Sequence, residues 1–467
     1  MPDIEEMLAK AKEAVSVMAA AGCGKTETIV KAVKIAEGRQ LILTHTNAGV
    51  ASLRSRLRKY SVPESKYRVE TIVSWLLKYV LAYPEMSAFR TSRPQRDEWN
   101  EVYPAAQKLF NYKFVVEVIR VTYTRVLVDE YQDCTKAQHN LIMKIAEHLP
   151  VCVLGDPLQG IFGFQQDPLV DWEVDVKPVF TSLPELETPY RWENGNKKLG
   201  EWLIDLRTQL LEGQPIDLSQ TSVVEWRKWS QDAERDICLD LIKNPGSIVG
   251  IHQWRGDDHN TAKQLDGKYQ SIEEMDCDQL MSAVVKLDKS TGPALATELI
   301  NFIMQCAQVE DYFANILEKI RCGRVEQFPT ISNIAVGSAF YQLVTEKNLG
   351  SIASIIDILL RESRIKVFRR ELLTEMKRAA LEFATGNYAS FYDAAYEARR
   401  RTRMHGRTPE KNVISRTLLI KGLEYDHAIV LNANKLQNEK NFYVAATRGA
   451  HSLTILSEAP IIHFSKR

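Results

Sequence analysis

Cysteine is scarce in this 467-residue chain, and no two of its seven cysteines form a C-x-x-C pair. That absence speaks against a zinc ribbon or a disulfide framework and suits a reducing compartment, so a cytoplasmic location is expected. An excess of either charge is also missing, since Lys plus Arg and Asp plus Glu each total 60. Without a net basic field, any nucleic-acid partner has to be held in a local groove. No apolar run approaches membrane-spanning length, and the N-terminal MPDIEEMLAKAKEAV is acidic and amphipathic, unlike a secretory signal. Hydrophobic residues make up 45% of the chain, enough at this length to fill more than one core. Two or more domains are therefore expected.

One glycine is missing where a phosphate-binding loop usually has it. The stretch AAAGCGKTET places Ala19 at the first glycine of G-x-x-x-x-G-K-[ST], while Gly24, Lys25 and Thr26 stand where that pattern wants them. The preceding AVSVM reads as a buried strand, and TETIVKAVKIAEG has helical spacing at Ile29, Val33 and Ile35 or Ala36. In this strand–loop–helix context, the backbone of Ala21, Gly22, Cys23 and Gly24 can close around phosphate oxygens at a helix N-terminus. Lys25 then supplies charge to the β and γ phosphates of ATP, and the Thr26 hydroxyl a ligand to Mg²⁺. The plainer alternative is a small-residue turn that binds nothing.

Strand and helix alternate through the first part of the chain. QLILTHT, RVLVDEYQD and PVCVLGD are apolar runs ending in polar residues, separated by helix-like NAGVASLRSRLRKY and KAQHNLIMKIAEHL. This reads as an α/β fold, a parallel sheet wrapped by helices, with function at the strand C-terminal ends. In VLVDEYQD the strand delivers Asp129, suited to Mg²⁺, and Glu130, suited to polarising an attacking water. Paired acids after a strand also serve as helix N-caps, and Asp133 is such a candidate.

AAAGCGKTET, LILTHTNAGVASL, VETIVSWL, VLVDEYQDC, VLGDPLQGIFGF, LETPYRWEN, IKGLEYDHAIV and NFYVAATRGAHSLTI occur in this order along nearly the whole chain. With these motifs the sequence resembles the UvrD/Rep-like superfamily 1 DNA helicases, in a compact form. Their loop begins A-x-x-G-x-G-K-T, so Ala19 fits that family where it departs from the general pattern. The resemblance implies two RecA-like parallel-sheet P-loop motor domains with mostly helical accessory insertions. The first motor domain is assigned to 1–75 and 125–187, with a small insertion at 76–124. The second is assigned to 188–268 and 409–467, with a helical insertion at 269–408. ATP and Mg²⁺ are the implied cofactors, and single-stranded or partly single-stranded DNA the implied partner. Movement along it, 3′ to 5′, is the implied activity.

The same resemblance distributes roles. Gln159 matches the γ-phosphate sensor, and Arg191 and Arg448 match arginines that reach the γ-phosphate from the second motor domain. A planar, permanently charged group suits transition-state charge spread over several oxygens. Tyr190 matches the aromatic that stacks on adenine and Glu424 the carboxylate that accepts from ribose; either could instead be packing or surface. Phe162 and Phe164 match positions where single-stranded bases stack. Thr44, His45, Asn47, Thr71 and Ser74 match segments that contact the DNA backbone. The chain departs from the family at Val73 and Leu418, where histidine is frequent, and has no glutamine before the loop to read adenine. The charge run from Arg399 to Arg407 reads as a solvated helix end, or as a phosphate-contacting arm. A compact outline similar to the helicase-like GajB subunit of Gabija anti-phage systems leaves a second class open: an ATP- and DNA-sensing subunit that controls a partner nuclease of the OLD-like kind.

Overall fold

The computed structural model describes residues 3–91, 94, 98–163, 167–274, 277–331, 333–405 and 410–464, with the side chains of 403–405 left aside. Phe164 lies outside the described residues. The chain divides into two compact units: Met1–Asp217 with Asn438–His451 and His463–Arg467, and Leu218–Gln437 with Ser452–Ile462. Segments 188–217 and 438–451 thus fall in the same unit as the loop.

In the first unit the apolar runs form a parallel sheet. Its strands are β1 (Val15–Met18), β2 (Gln40–Thr44), β3 (Tyr67–Thr71), β4 (Arg125–Val128), β5 (Val151–Gly155) and β6 (Thr181–Ser182), in the order β3-β2-β4-β5-β1-β6. Every pair in it is parallel. The strands read as continuous apolar runs because both faces are covered, and successive side chains alternate between two cores. Leu41, Leu43, Val126, Val128, Val151 and Val153 face one core, together with Trp75 and Leu141. Ile42, Leu127, Cys152, Leu154, Val15 and Val17 face the other, against Ile29, Val33 and Leu53. This order sets the C-terminal ends of β4, β5 and β1 side by side, where a parallel sheet offers its binding crevice.

The stretch expected as a small helical insertion contains Pro84–Ser87, Glu98–Leu109 and Lys113–Thr122. Among its described residues, Val102, Leu109, Val115 and Ile119 continue the core under Trp75. Asp133 is not the cap of the following helix. Thr135 caps Lys136–Ala146 in a reciprocal box with Gln138, because the chain first makes a 3₁₀ turn over Tyr131–Asp133.

The second unit has its own six-stranded sheet. Its spatial order is Gln270–Ser271, Asn412–Arg416, Ile248–His252, Tyr425–Val430, Gly449–Ser457, Glu225–Lys228. Helices from Asp278 onward enclose a separate apolar core built on Leu299, Ile303, Phe313, Phe340, Ile356 and Met376. Among these helices, Gly292–Met304 and Glu310–Arg321 flank Ala307–Gln308, which pairs antiparallel with Lys366–Val367 between Ser351–Arg361 and Arg370–Ala384. The molecule is therefore an α/β fold with parallel sheets and abundant helical insertions.

Of the arginine run, Arg399, Arg400 and Arg401 are held in ion pairs, while the side chain of Arg403 and residue Arg407 lie outside the described residues. Arg399 is buried against Glu371 and Glu375, Arg400 pairs with Glu397, and Arg401 with Glu382 and Glu397. Among the described residues, no helix is long and apolar enough to cross a membrane.

Candidate nucleotide site

β1 ends at Met18 and the chain turns through the loop into the Lys25–Ile35 helix. Ala19 is fully buried, donates to the Gly155 carbonyl at 3.0 Å, and needs no left-handed backbone; a small side chain suffices there. Gly22 and Gly24 do need it, at φ +70° and +84°. A Cβ on Gly22 would come within 2.5 Å of the Trp192 ring and 2.9 Å of the Arg191 Cβ; one on Gly24 would lie 3.3 Å from the Tyr190 ring. These glycines let the backbone turn while Tyr190, Arg191 and Trp192 close over it.

The charged groups converge on the loop. Lys25 is buried, its Nζ 3.4 Å from the Ala19 carbonyl and 4.0 Å from Glu130 Oε1. Thr26 Oγ1 donates to Asp129 Oδ2 at 3.3 Å, and the Glu130 N–H donates to Asp129 Oδ1 at 3.0 Å. Glu130 holds a left-handed φ of +55°, a costly conformation for a residue with a Cβ. Burial raises the Asp129 carboxyl well above the usual range, and the Glu130 charge adds to this; Lys25 and the Thr26 hydrogen bond oppose them. Burial likewise pushes the Cys23 thiol up to about 12, so it carries no charge into the loop.

Behind this pair runs a chain of hydrogen bonds. Gln132 Nε2 donates to Glu130 Oε2 while its Oε1 accepts from the Asp156 N–H at 3.0 Å. Asp156, at the end of β5 and fully buried, accepts from Gln159 Nε2 at 2.8 Å and from the Leu158 N–H at 3.3 Å.

Residues distant in sequence complete the surroundings. The Arg191 N–H donates to the Gly22 carbonyl at 3.2 Å, and its guanidinium donates to the Thr447 carbonyl at 2.8 Å while lying 5.4 Å from the Trp192 ring. Arg448 is 1% exposed and folds back on its own helix end, donating to the Val444 carbonyl at 2.7 Å and to Thr447 Oγ1 at 2.7 Å. Tyr190 is exposed beside Gly24, open to a flat partner. Tyr443 Oη accepts from the Ala21 N–H at 3.1 Å.

The structure thus brings Ala21, Gly22, Cys23, Gly24, Lys25, Thr26, Asp129, Glu130, Tyr190 and Arg191 together, with Gln159 joined to Glu130 through Asp156 and Gln132. Glu424 stands exposed ahead of Tyr425–Val430 in the second unit. Of the expected track residues, Thr44 closes β2 and is buried, His45 meets the Cys134 thiol at 3.5 Å, and Asn47 is exposed at the start of its helix. Thr71 accepts from the Ser74 N–H and donates to its hydroxyl, so both have a capping role. Phe162 is half-buried in an irregular segment. Gln132, Asp156, Trp192 and Tyr443 lie inside the motifs used above, yet local spacing gives their partners no signature.

The residues fit a magnesium nucleotide. The loop is glycine-permissive, and an ammonium stands at its mouth. A hydroxyl and a carboxylate also stand together as hard oxygen donors of the kind Mg²⁺ takes. Among the described residues no cluster of three or more His, Cys, Asp or Glu could hold another metal.

Residues 85–168 match the UvrD/REP helicase N-terminal domain, a stretch that carries Asp129, Glu130, Asp156 and Gln159 but not the loop. No curated protein matches the chain. Among solved structures it is similar to the Arterivirus nonstructural protein 10 helicase in complex with DNA, at 14% identity over 58% of this chain and 55% of that one, with a TM-score of 0.29. It is also similar to the Pif1 helicase from Candida albicans, at 10% identity over 52% of this chain and 55% of that one, with a TM-score of 0.29. The chain spans little more than half the length of these helicases.

Proposed function

We propose that this chain is an ATP-driven DNA translocase or helicase of the UvrD/Rep type, moving on single-stranded DNA 3′ to 5′. The observation that carries the reading is the paired approach of the loop to the end of β4: Lys25 to Glu130 at 4.0 Å and Thr26 to Asp129 at 3.3 Å. Lys25 and the loop N–H groups bind the β and γ phosphates; Thr26 and Asp129 hold Mg²⁺, which neutralises phosphate charge when bound. Glu130 takes the proton of the attacking water. Gln159 senses the γ-phosphate, and Arg191 and Arg448 leave their carbonyl partners to meet the charge that develops on it. Tyr190 stacks on the base. The two six-stranded sheets act as RecA-like motor domains, with 76–124 and 269–408 as their insertions.

The test is hydrolysis of Mg–ATP with and without single-stranded DNA, followed by stopped-flow translocation on single strands. Strong stimulation and length-dependent translocation are expected. Absence of hydrolysis removes the reading. DNA-stimulated hydrolysis without movement replaces the motor with an ATP- and DNA-sensing subunit whose nuclease is a partner protein, as in a Gabija-type complex.

A further inference from the structure

Arg207 lies on the Lys197–Glu212 helix, which begins shortly after the turn that carries Arg191, and no sequence motif singles it out. It is buried, yet its nearest partner is a second buried charge: Nε lies 3.4 Å from Asp156 Oδ1, with Nη1 3.6 Å from Glu185 Oε2. Among the described residues its buried Nη2 has no hydrogen-bond partner. Burying a guanidinium this incompletely paired is costly, and an apolar side chain would pack the helix without that cost. The arrangement has a reason in what Asp156 does. One carboxylate oxygen faces Arg207 and the other holds the Gln159 amide at 2.8 Å, while the backbone N–H of the same residue is tied through Gln132 to Glu130.

We infer that Arg207 is a positioning residue for Gln159, acting through Asp156. The inference rests on the nucleotide-hydrolysis reading above. Without Arg207 the fully buried Asp156 carboxylate loses the charged partner on its Oδ1 side and is free to turn, and the Gln159 amide loses the anchor that sets its direction. Arg207 thereby links the proposed sensor to the helix that follows the Arg191 turn.

The test is a double-mutant cycle on the full chain: parent, Arg207→Ala, Gln159→Ala and the double variant, with kcat and KM for Mg–ATP at saturating single-stranded DNA and a melting curve for each. Arg207→Ala should lower kcat on the order of tenfold with KM nearly unchanged, and the double variant should be no slower than Gln159→Ala alone. Losses that multiply, or a folded Arg207→Ala protein with parental kcat, overturn the inference. Should Arg207→Ala fail to fold, Arg207→Lys enters the same cycle, keeping the charge but losing the planar fork. A parent that does not hydrolyse Mg–ATP refutes the proposed function itself; an active parent with multiplicative losses refutes only the role of Arg207.

Discussion

The Tyr443 hydroxyl accepts a hydrogen bond from the Ala21 backbone N–H at 3.1 Å, joining residues 422 positions apart. Ala21 lies in the loop between β1 and the Lys25–Ile35 helix, and Tyr443 is buried in the helix that leads to Arg448. The contact shapes the loop from its far side. Tyr443→Phe keeps the ring but leaves a buried N–H without its acceptor, at a cost of about 1–3 kcal/mol. A lower melting temperature and weaker binding of a fluorescent ATP analogue are expected. Unchanged nucleotide affinity would show that the loop holds its shape without Tyr443.

Lys25 and Glu130 stand close, but their variants should separate. Lys25→Ala removes the charge proposed to meet the phosphates, so both binding and turnover should fall. Glu130→Gln keeps size and a hydrogen-bonding head, so ATP should still bind while turnover is lost by about a hundredfold or more. Equilibrium binding and steady-state hydrolysis on one preparation check both. Parental turnover in Glu130→Gln removes Glu130 as the proposed base.

Much of this site was legible because its parts sit in short, ordered motifs. The apolar runs ending at Met18, Val128 and Gly155 announced parallel strands; Asp129 and Glu130 directly follow one of them, and Lys25 opens the helix after the loop that follows another. Arg207 was not legible. A single arginine in an amphipathic helix has no periodic signature, and only the fold brings it to Asp156. Local spacing leaves Asp133 only a candidate cap for a related reason: it cannot show that a 3₁₀ turn intervenes before Thr135 takes the role. The arginine run was equally opaque, because the glutamates that pair with Arg399 lie on another helix.

Asp129 should tax the stability of the nucleotide-free protein. Its carboxyl pKa is raised by burial and by Glu130, so the folded state binds more protons than the unfolded one. Stability from this group is present below the ordinary carboxylate range and declines as pH rises toward the raised value. Asp129→Asn removes the charge. In EDTA without nucleotide it should melt above the parent at pH 8, with the gap narrowing by pH 5, while Mg²⁺-dependent hydrolysis is lost. A parent that melts higher than the variant at pH 8 would contradict this.

Arg448 serves its own helix end in this structure, so the substitution has to be chosen with care. Arg448→Ala deletes hydrogen bonds to the Val444 carbonyl and Thr447 Oγ1 in a buried position and should lower the melting temperature. Arg448→Lys retains a charge and a long stem but not the fork. If Arg448 meets transition-state charge, the lysine variant should melt near the parent yet turn over at least tenfold more slowly at saturating ATP. Turnover that tracks only melting temperature across the two variants would make Arg448 a helix-end residue alone.

In the second unit, Arg369 and Glu273 form a two-pronged ion pair at 2.7 and 2.6 Å, both side chains about 95% or more buried. Glu273 follows the short strand Gln270–Ser271, and Arg369 precedes the helix Arg370–Ala384, so the pair ties the helical insertion to the edge of the sheet. Removing one partner leaves the other charge in a low-dielectric setting, at about 3–5 kcal/mol. Arg369→Ala should therefore destabilise this unit strongly, seen as faster hydrogen exchange across 270–273 and 369–384. Replacing both partners with apolar residues of similar volume, Arg369→Met with Glu273→Leu, should recover much of the loss, since no stranded charge remains. If the double substitution is as unstable as the single one, the pair contributes through geometry that apolar packing cannot reproduce, and the desolvation account of its strength fails.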